Sequence, residues 1–149
     1  EEHGAAVLGA PLPAETWRLR GRVGYLGHSA SLYRDLTPRE NLRLAASLHG
    51  LGERGGARIE ELLDAVGMQA RADDRVAELS AGMAQRISAC MAVLHEPELL
   101  LLDEPDSHLD EGARELVGRL TGAAPSRTRV LVSHERERAT AEADQVLEL

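Results

Sequence analysis

Two adjacent acids, Asp103 and Glu104, close the run Leu99-Leu100-Leu101-Leu102 and are followed at once by Pro105. Four aliphatics without polar alternation predict a strand covered on both faces. Open parallel sheets place their sites at the carboxyl ends of strands, where these acids fall. Asp103 is suited to hold Mg²⁺ through water, and Glu104 to polarise an attacking water. Phosphoryl transfer needs both a metal and a group that orients the nucleophile. A strand ending in a capped polar turn accounts for the same residues. A second cluster, Leu79-Ser80-Ala81-Gly82-Met83 before Gln85-Arg86, lies where a long helix begins. Ser80 offers a hydroxyl, Gly82 lets an anion approach the backbone, and the free N–H groups of a helix start attract negative charge. An ordinary Ser-capped helix reads the same way. Two more polar groups follow buried strands. His134, after Val130-Leu131-Val132-Ser133, can donate to a phosphate oxygen or to the attacking water, or serve structure alone. Asp106-Ser107-His108-Leu109-Asp110 is at least the loop and cap of the next helix.

The elements that must position these residues follow from periodicity and punctuation. Ala5–Leu8 predicts a short edge strand closed by Gly9, and Ala14–Arg20 a short helix. Arg22–Leu26 predicts a strand between Gly21 and Gly27. Thr37-Pro38-Arg39-Glu40 is a strong helix start: a capping Thr, a Pro at the first helical position, and a Glu that reaches back to the cap. That helix runs to Gly50, and Gly52–Gly56 reads as loop. Ile59, Leu62, Leu63 and Val66 repeat at helical spacing, with Gly67 as a stop. A third helix spans Gly82 to His95, and a fourth runs from the Asp110 cap to Leu120. Arg129–Val132 is a further buried strand, Glu135–Ala143 has a helical pattern, and Gln145–Leu149 predicts a last strand. Strands alternating with helices imply a parallel sheet flanked by helices, here with an all-helical insert from Leu32 to Pro97.

Composition narrows the classes. The chain has 149 residues, enough for one domain with a core, and no apolar run long enough to span a bilayer. Its net charge of -8 disfavours broad nucleic-acid binding, which needs a basic face. The single Cys90 cannot form an internal disulfide, reads as a small buried helix residue, and fits a cytosolic setting. All 17 basic residues are Arg, and there is no Lys.

The order Leu-Ser-x-Gly, then Leu₄-Asp-Glu-Pro, then Leu-Asp, then a strand ending Ser-His resembles the nucleotide-binding domain of the ABC ATPases. Leu79–Met83 matches the signature motif, Leu99–Glu104 the Walker B strand, Asp106–Asp110 the D-loop and His134 the switch histidine. Val23-Gly24-Tyr25-Leu26-Gly27-His28 looks like the Q-loop strand, with His28 where most members have Gln. The resemblance implies an α/β, P-loop NTPase-type parallel sheet flanked by helices. It implies three segments: core sheet with Q-loop over 1–31, helical subdomain with signature over 32–97, and core with Walker B, D-loop and switch histidine over 98–149. It implies ATP and Mg²⁺ as ligands. Asp103 would support Mg²⁺, with His28 touching the ion or its water, Glu104 would be the catalytic carboxylate, and His134 would contact the γ-phosphate. Ser80, Ala81 and Gly82 would face ATP held by a second nucleotide-binding domain packed head to tail, with Asp110 near that interface. A transmembrane permease would be the other partner, and the place the cytoplasmic face of the cell membrane. His28, Leu79-Ser80-Ala81-Gly82 and Glu40-Asn41-Leu42 look like the haem-exporter ATPase of cytochrome c maturation. Met83 departs from that pattern.

The family's phosphate loop, Gly-x-x-x-x-Gly-Lys-Ser/Thr, has no match, as a chain without Lys requires. The expectation is a chain that starts about fifty residues into a domain and lacks the phosphate-loop strand. Its apolar sheet edge beside Val130–Val132 would then be exposed, making the isolated chain poorly stable and a weak ATP binder. Three functions compete: the energy-coupling ATPase of a transporter, a non-catalytic module lending its signature half-site, and a non-transport ABC ATPase acting on nucleic acid or ribosomes. Intact Asp103, Glu104 and His134 speak against the second. The acidic balance and the absence of a long coiled-coil pattern speak against the third.

Overall fold

The computed structural model describes residues 4–135, 137, 140–141 and 143–147. The chain opens with a two-stranded ribbon, β1 (Ala6–Val7) and β2 (Ala10–Pro11), paired antiparallel. The expected edge strand at Ala5–Leu8 is therefore half of a hairpin outside the main sheet. Leu8 and Gly9, at φ +48° and +75°, form its two-residue turn, and two successive positive-φ residues suit the twist of a hairpin. The predicted helix after it is a single 3-10 turn, Thr16–Leu19.

β3 (Val23–Leu26), β4 (Leu99–Asp103) and β5 (Thr128–Val132) form one three-stranded sheet in that order, all parallel. Leu26, Leu100 and Leu102 are buried on one of its faces. The register sets Tyr25, Leu101 and Val130 side by side on the other, where Tyr25 and Val130 are exposed. Gly24 is required by packing. A Cβ there would lie 2.1 Å from the Ala92 carbonyl oxygen, so only glycine lets β3 rest on the helix above it.

Between β3 and β4 lie α1 (Pro38–Leu48), α2 (Arg54–Ala65) and α3 (Ala81–Val93), with no strand among the described residues. α1 begins as its sequence dictates. The Thr37 hydroxyl accepts from the Glu40 N–H, and the Glu40 carboxylate accepts from the Thr37 N–H. α2 starts earlier than its glycines suggested, taking in Gly55 and Gly56 of the expected loop. The reason is proximity: a Cβ on Gly55 would stand 3.1 Å from that of Ala46, so a small residue lets α1 and α2 approach. Leu42 of α1, Ile59, Leu62 and Leu63 of α2, Ile87 and Ala89 of α3, and Leu26 and Leu100 of the sheet share one core. Cys90 is fully buried beside the Leu62 carbonyl, and burial pushes its thiol up to about 12.

α4 (Glu111–Thr121) connects β4 to β5. The expected helix over Glu135–Ala143 falls partly outside the described residues. Glu137, Thr140 and Ala141 are helical. The expected strand at Gln145–Leu149 is not seen over 145–147, and 148–149 lie outside the described residues. Such a strand would need a neighbour for its ladder, and β5 pairs only with β4 among the described residues.

Candidate functional site

The carboxyl end of β4 gathers four of the residues singled out above. Asp103 is the last residue of the strand, paired with Val132 of β5. Its carboxylate faces His28, which lies two residues beyond β3, with Nδ1 and Oδ2 3.8 Å apart. Glu104 turns out of the strand with φ +50°, a left-handed conformation that costs a non-glycine residue of order 1 kcal/mol. Three contacts, to two residues of the neighbouring chain segment, hold it there. Its N–H donates to the Val132 carbonyl at 2.9 Å. Its carboxylate accepts from the His134 N–H at 2.8 Å and pairs with His134 Nδ1, also at 2.8 Å. Both carboxylate oxygens are thus engaged by one histidine. The hydrogen bond and charge of Glu104 raise His134 above its ordinary value of 6.5. The arrangement joins a carboxylate to an imidazole across the ends of two neighbouring strands, two side-chain types that can carry out general acid–base chemistry.

A second group lies at the start of α3. Ser80 is the N-cap, and its hydroxyl accepts from the Met83 N–H at 3.2 Å. The plain capping role is therefore filled, and the hydroxyl proton remains to donate. Ala81 is exposed at the first helical position. Gly82 has a packing reason as well as the anion-approach reason read from sequence. A Cβ there would meet the His108 carbonyl oxygen at 2.6 Å. His108 is itself left-handed, at φ +65°. Asp110 caps α4, accepting from the Ala113 N–H at 2.8 Å. Ser80–Met83, Arg86 and His108–Asp110 line a cleft of about 380 Å³ between the two helix starts.

The site residues therefore fall into two groups. His28, Asp103, Glu104 and His134 meet at the strand ends. Ser80, Ala81, Gly82 and Asp110 line the cleft beside them. Gln85, for which the sequence alone indicates no role, belongs to neither group. It is buried, and its amide donates to the carbonyls of Gly27 and Pro105, at 2.9 and 3.3 Å. The available signal was a Gln three, four and seven residues ahead of Ser88, Ala89 and Ala92, on the inward face of α3.

Comparison with known proteins agrees with this architecture. Residues 2–107 match the ABC transporter family. Nod factor export ATP-binding protein I of Sinorhizobium fredii is 38% identical over 142 residues, covering 93% of this chain and 41% of that protein. The protein of the same name from Burkholderia pseudomallei is 36% identical over 137 residues, covering 90% and 45%. The probable multidrug ABC transporter ATP-binding protein YbhF of Escherichia coli is 36% identical over 107 residues, covering 71% and 18%. A solved structure, described as that of the ATP binding subunit of an ABC transporter, superposes with a TM-score of 0.81 at 29% identity, covering 93% of this chain and 59% of that one. The chain spans about two-fifths of the length of the Nod factor relatives. These relatives do not support the haem-exporter subgroup suggested by His28 and Leu79–Gly82. The match over residues 2–107 and the shared α/β parallel-sheet fold make the conclusion plain: this chain belongs to the ABC transporter family and carries the fold of its ATP-binding domain.

Proposed function

We propose that this chain is part of an ATP-hydrolysing subunit that drives export across a membrane. It would act with a transmembrane permease and a second ATP-binding domain packed head to tail. The observation that carries the reading is the pairing of Glu104 with His134 beside Asp103, at the ends of adjacent parallel strands. Relatives named for Nod factor export and multidrug transport favour an exporter. Haem as cargo rests on His28, Glu40-Asn41-Leu42 and the Leu-Ser-Ala-Gly sequence, without support from those relatives.

The residues present fit Mg²⁺ better than a protein-caged metal. No group of three or more His, Cys, Asp or Glu side chains that could hold a metal occurs among the described residues. Asp103 is partly exposed at the strand end. Magnesium is commonly held by one or two carboxylates together with waters and substrate phosphates. Asp103 would hold it, and His28, a softer ligand than the ion prefers, would act through water. The ion would neutralise charge on the phosphate oxygens. Glu104 would orient the attacking water, and His134 would donate toward the γ-phosphate. Ser80, Ala81 and Gly82, at the start of α3, would face nucleotide bound by the second domain, and Asp110 would shape the adjoining turn.

ATP hydrolysis by the full-length protein with its membrane partner tests the reading. Glu104→Gln is expected to lower kcat by about 10²-fold or more while ATP still binds. Hydrolysis unchanged in that variant would overturn the role. These 149 residues contain no Lys to grip the phosphates, so alone they would bind Mg-ATP weakly; sub-micromolar binding would contradict that.

A further inference from the structure

Gln85 sits on the helix that Ser80 caps, and its side chain reaches the two segments that flank the strand-end group. Its side chain is 1% exposed. One nitrogen, Nε2, donates to the Gly27 carbonyl at 2.9 Å and to the Pro105 carbonyl at 3.3 Å. Gly27 immediately precedes His28, and Pro105 immediately follows Glu104. The β3–β4 ladder ends with Leu26 opposite Leu102, so neither carbonyl belongs to that ladder. A single buried amide thus ties the two chain segments where they leave their strands. It does so from α3, one and a half turns beyond Ser80. The same helix start meets the same loop a second time, where Gly82 faces the His108 carbonyl. The first two turns of α3 therefore contact the segment from Pro105 to His108 at two points.

We propose that Gln85 is a positioning residue that couples the Ser80–Gly82 end of α3 to His28 and Glu104. A shift of α3 produced by contact at its first turn moves the two segments that carry the metal-side and water-side groups. This rests on the ATPase reading for its meaning, but the strut itself can be tested without activity. Removing both donors leaves two buried carbonyls unpaired, and those segments lose their tether rather than the core its packing.

The experiment uses the full-length protein, as wild type, Gln85→Met, which keeps length and burial, and Gln85→Glu, which sets an acceptor against two carbonyls. Amide hydrogen exchange is expected to quicken about tenfold in both Gly27–Ser31 and Pro105–His108, with Ile59–Val66 and Ala89–Val93 unchanged. ATP hydrolysis is expected to lose about tenfold in kcat with KM within about twofold, the pattern of an interaction made in the transition state. Exchange unchanged in either segment, or quickened throughout the domain, overturns the proposal. If Gln85→Met does not fold, Gln85→Glu carries the same comparison. A wild-type protein that exchanges as expected but hydrolyses no ATP would remove the functional reading and leave the strut standing.

Discussion

At the scale of the residue, two histidines respond to pH in opposite directions. Glu104 raises His134 above 6.5 through a hydrogen bond and its charge. The protonated pair stabilises the fold fully below 6.5, and that contribution is lost as pH rises through the raised value. His95 is lowered, first by burial and then by the charge of His49, whose ring stacks on it at 3.8 Å; the Val23 carbonyl beside its Nε2 opposes this. Its Nδ1 is buried without a partner, so a proton placed there would lack an acceptor. His95 therefore costs stability as pH falls from 6.5 through its lowered value. An NMR titration of the ring protons is expected to show His134 above 6.5 and His95 below it. Glu104→Gln should return His134 toward 6.5 and leave His95 in place; His134 unmoved would show that Glu104 is not the cause. A separate substitution weighs packing against propensity. Gly82→Ala gains about 1 kcal/mol of helix propensity. Its Cβ, however, meets the His108 carbonyl at 2.6 Å, a backbone atom that cannot swing aside. Overpacking of this kind costs about 1–3 kcal/mol, so net destabilisation in urea unfolding is expected.

At the scale of the element, the legible parts are those whose signals are local. α1 carries its cap, its first-turn Pro and its capping-box Glu within four residues, and it starts where they say. β4 is announced by four aliphatics, and with it the position of Asp103 and Glu104. The start of α2 is not legible, because Gly55 and Gly56 look like loop. Their smallness serves a contact with Ala46 on another helix, which no window along the chain contains. The same limit hides the Glu104–His134 pair, which exists because β5 lies beside β4. It also hides Gln85, whose partners are 58 and 20 residues away in sequence. Gly24 shows how much an element can depend on such a contact. Gly24→Ala would drive a methyl group into the Ala92 carbonyl, 2.1 Å away, and against Pro97. β3 would have to lift from α3, at about 3 kcal/mol or more. A fall in thermal midpoint larger than that of Gly82→Ala checks this; an equal or smaller fall would show that the strand relaxes freely.

At the scale of the molecule, and among the described residues, the sheet is covered on one face and exposed at Tyr25, Val130 and Val132 on the other. Leu26, Leu100 and Leu102 are buried under the helices, whereas Tyr25, Val130 and Val132 are 59%, 49% and 56% exposed. Parallel strands are normally buried on both faces, and the aliphatic run of β4 and the Val130-Leu131-Val132 end of β5 are written for that. An exposed apolar patch of this kind favours association, because covering it removes apolar surface from water. Opposing association is the net charge of -8, which makes copies of the chain repel one another. The two effects respond differently to salt. Screening weakens the repulsion, since the Debye length falls to about 3 Å at about 1 M, and leaves the apolar term intact or stronger. Sedimentation velocity is therefore expected to show association that grows with concentration and with salt. The double substitution Val130→Thr and Val132→Thr keeps β-branched side chains on β5. It should shift the chain toward monomer at every salt concentration, while unfolding free energy changes by no more than about 0.5 kcal/mol, as for other exposed positions. Association that persists unchanged in the double variant would place the contact elsewhere. A large loss of stability would show instead that the open face of β5 is already covered within the chain.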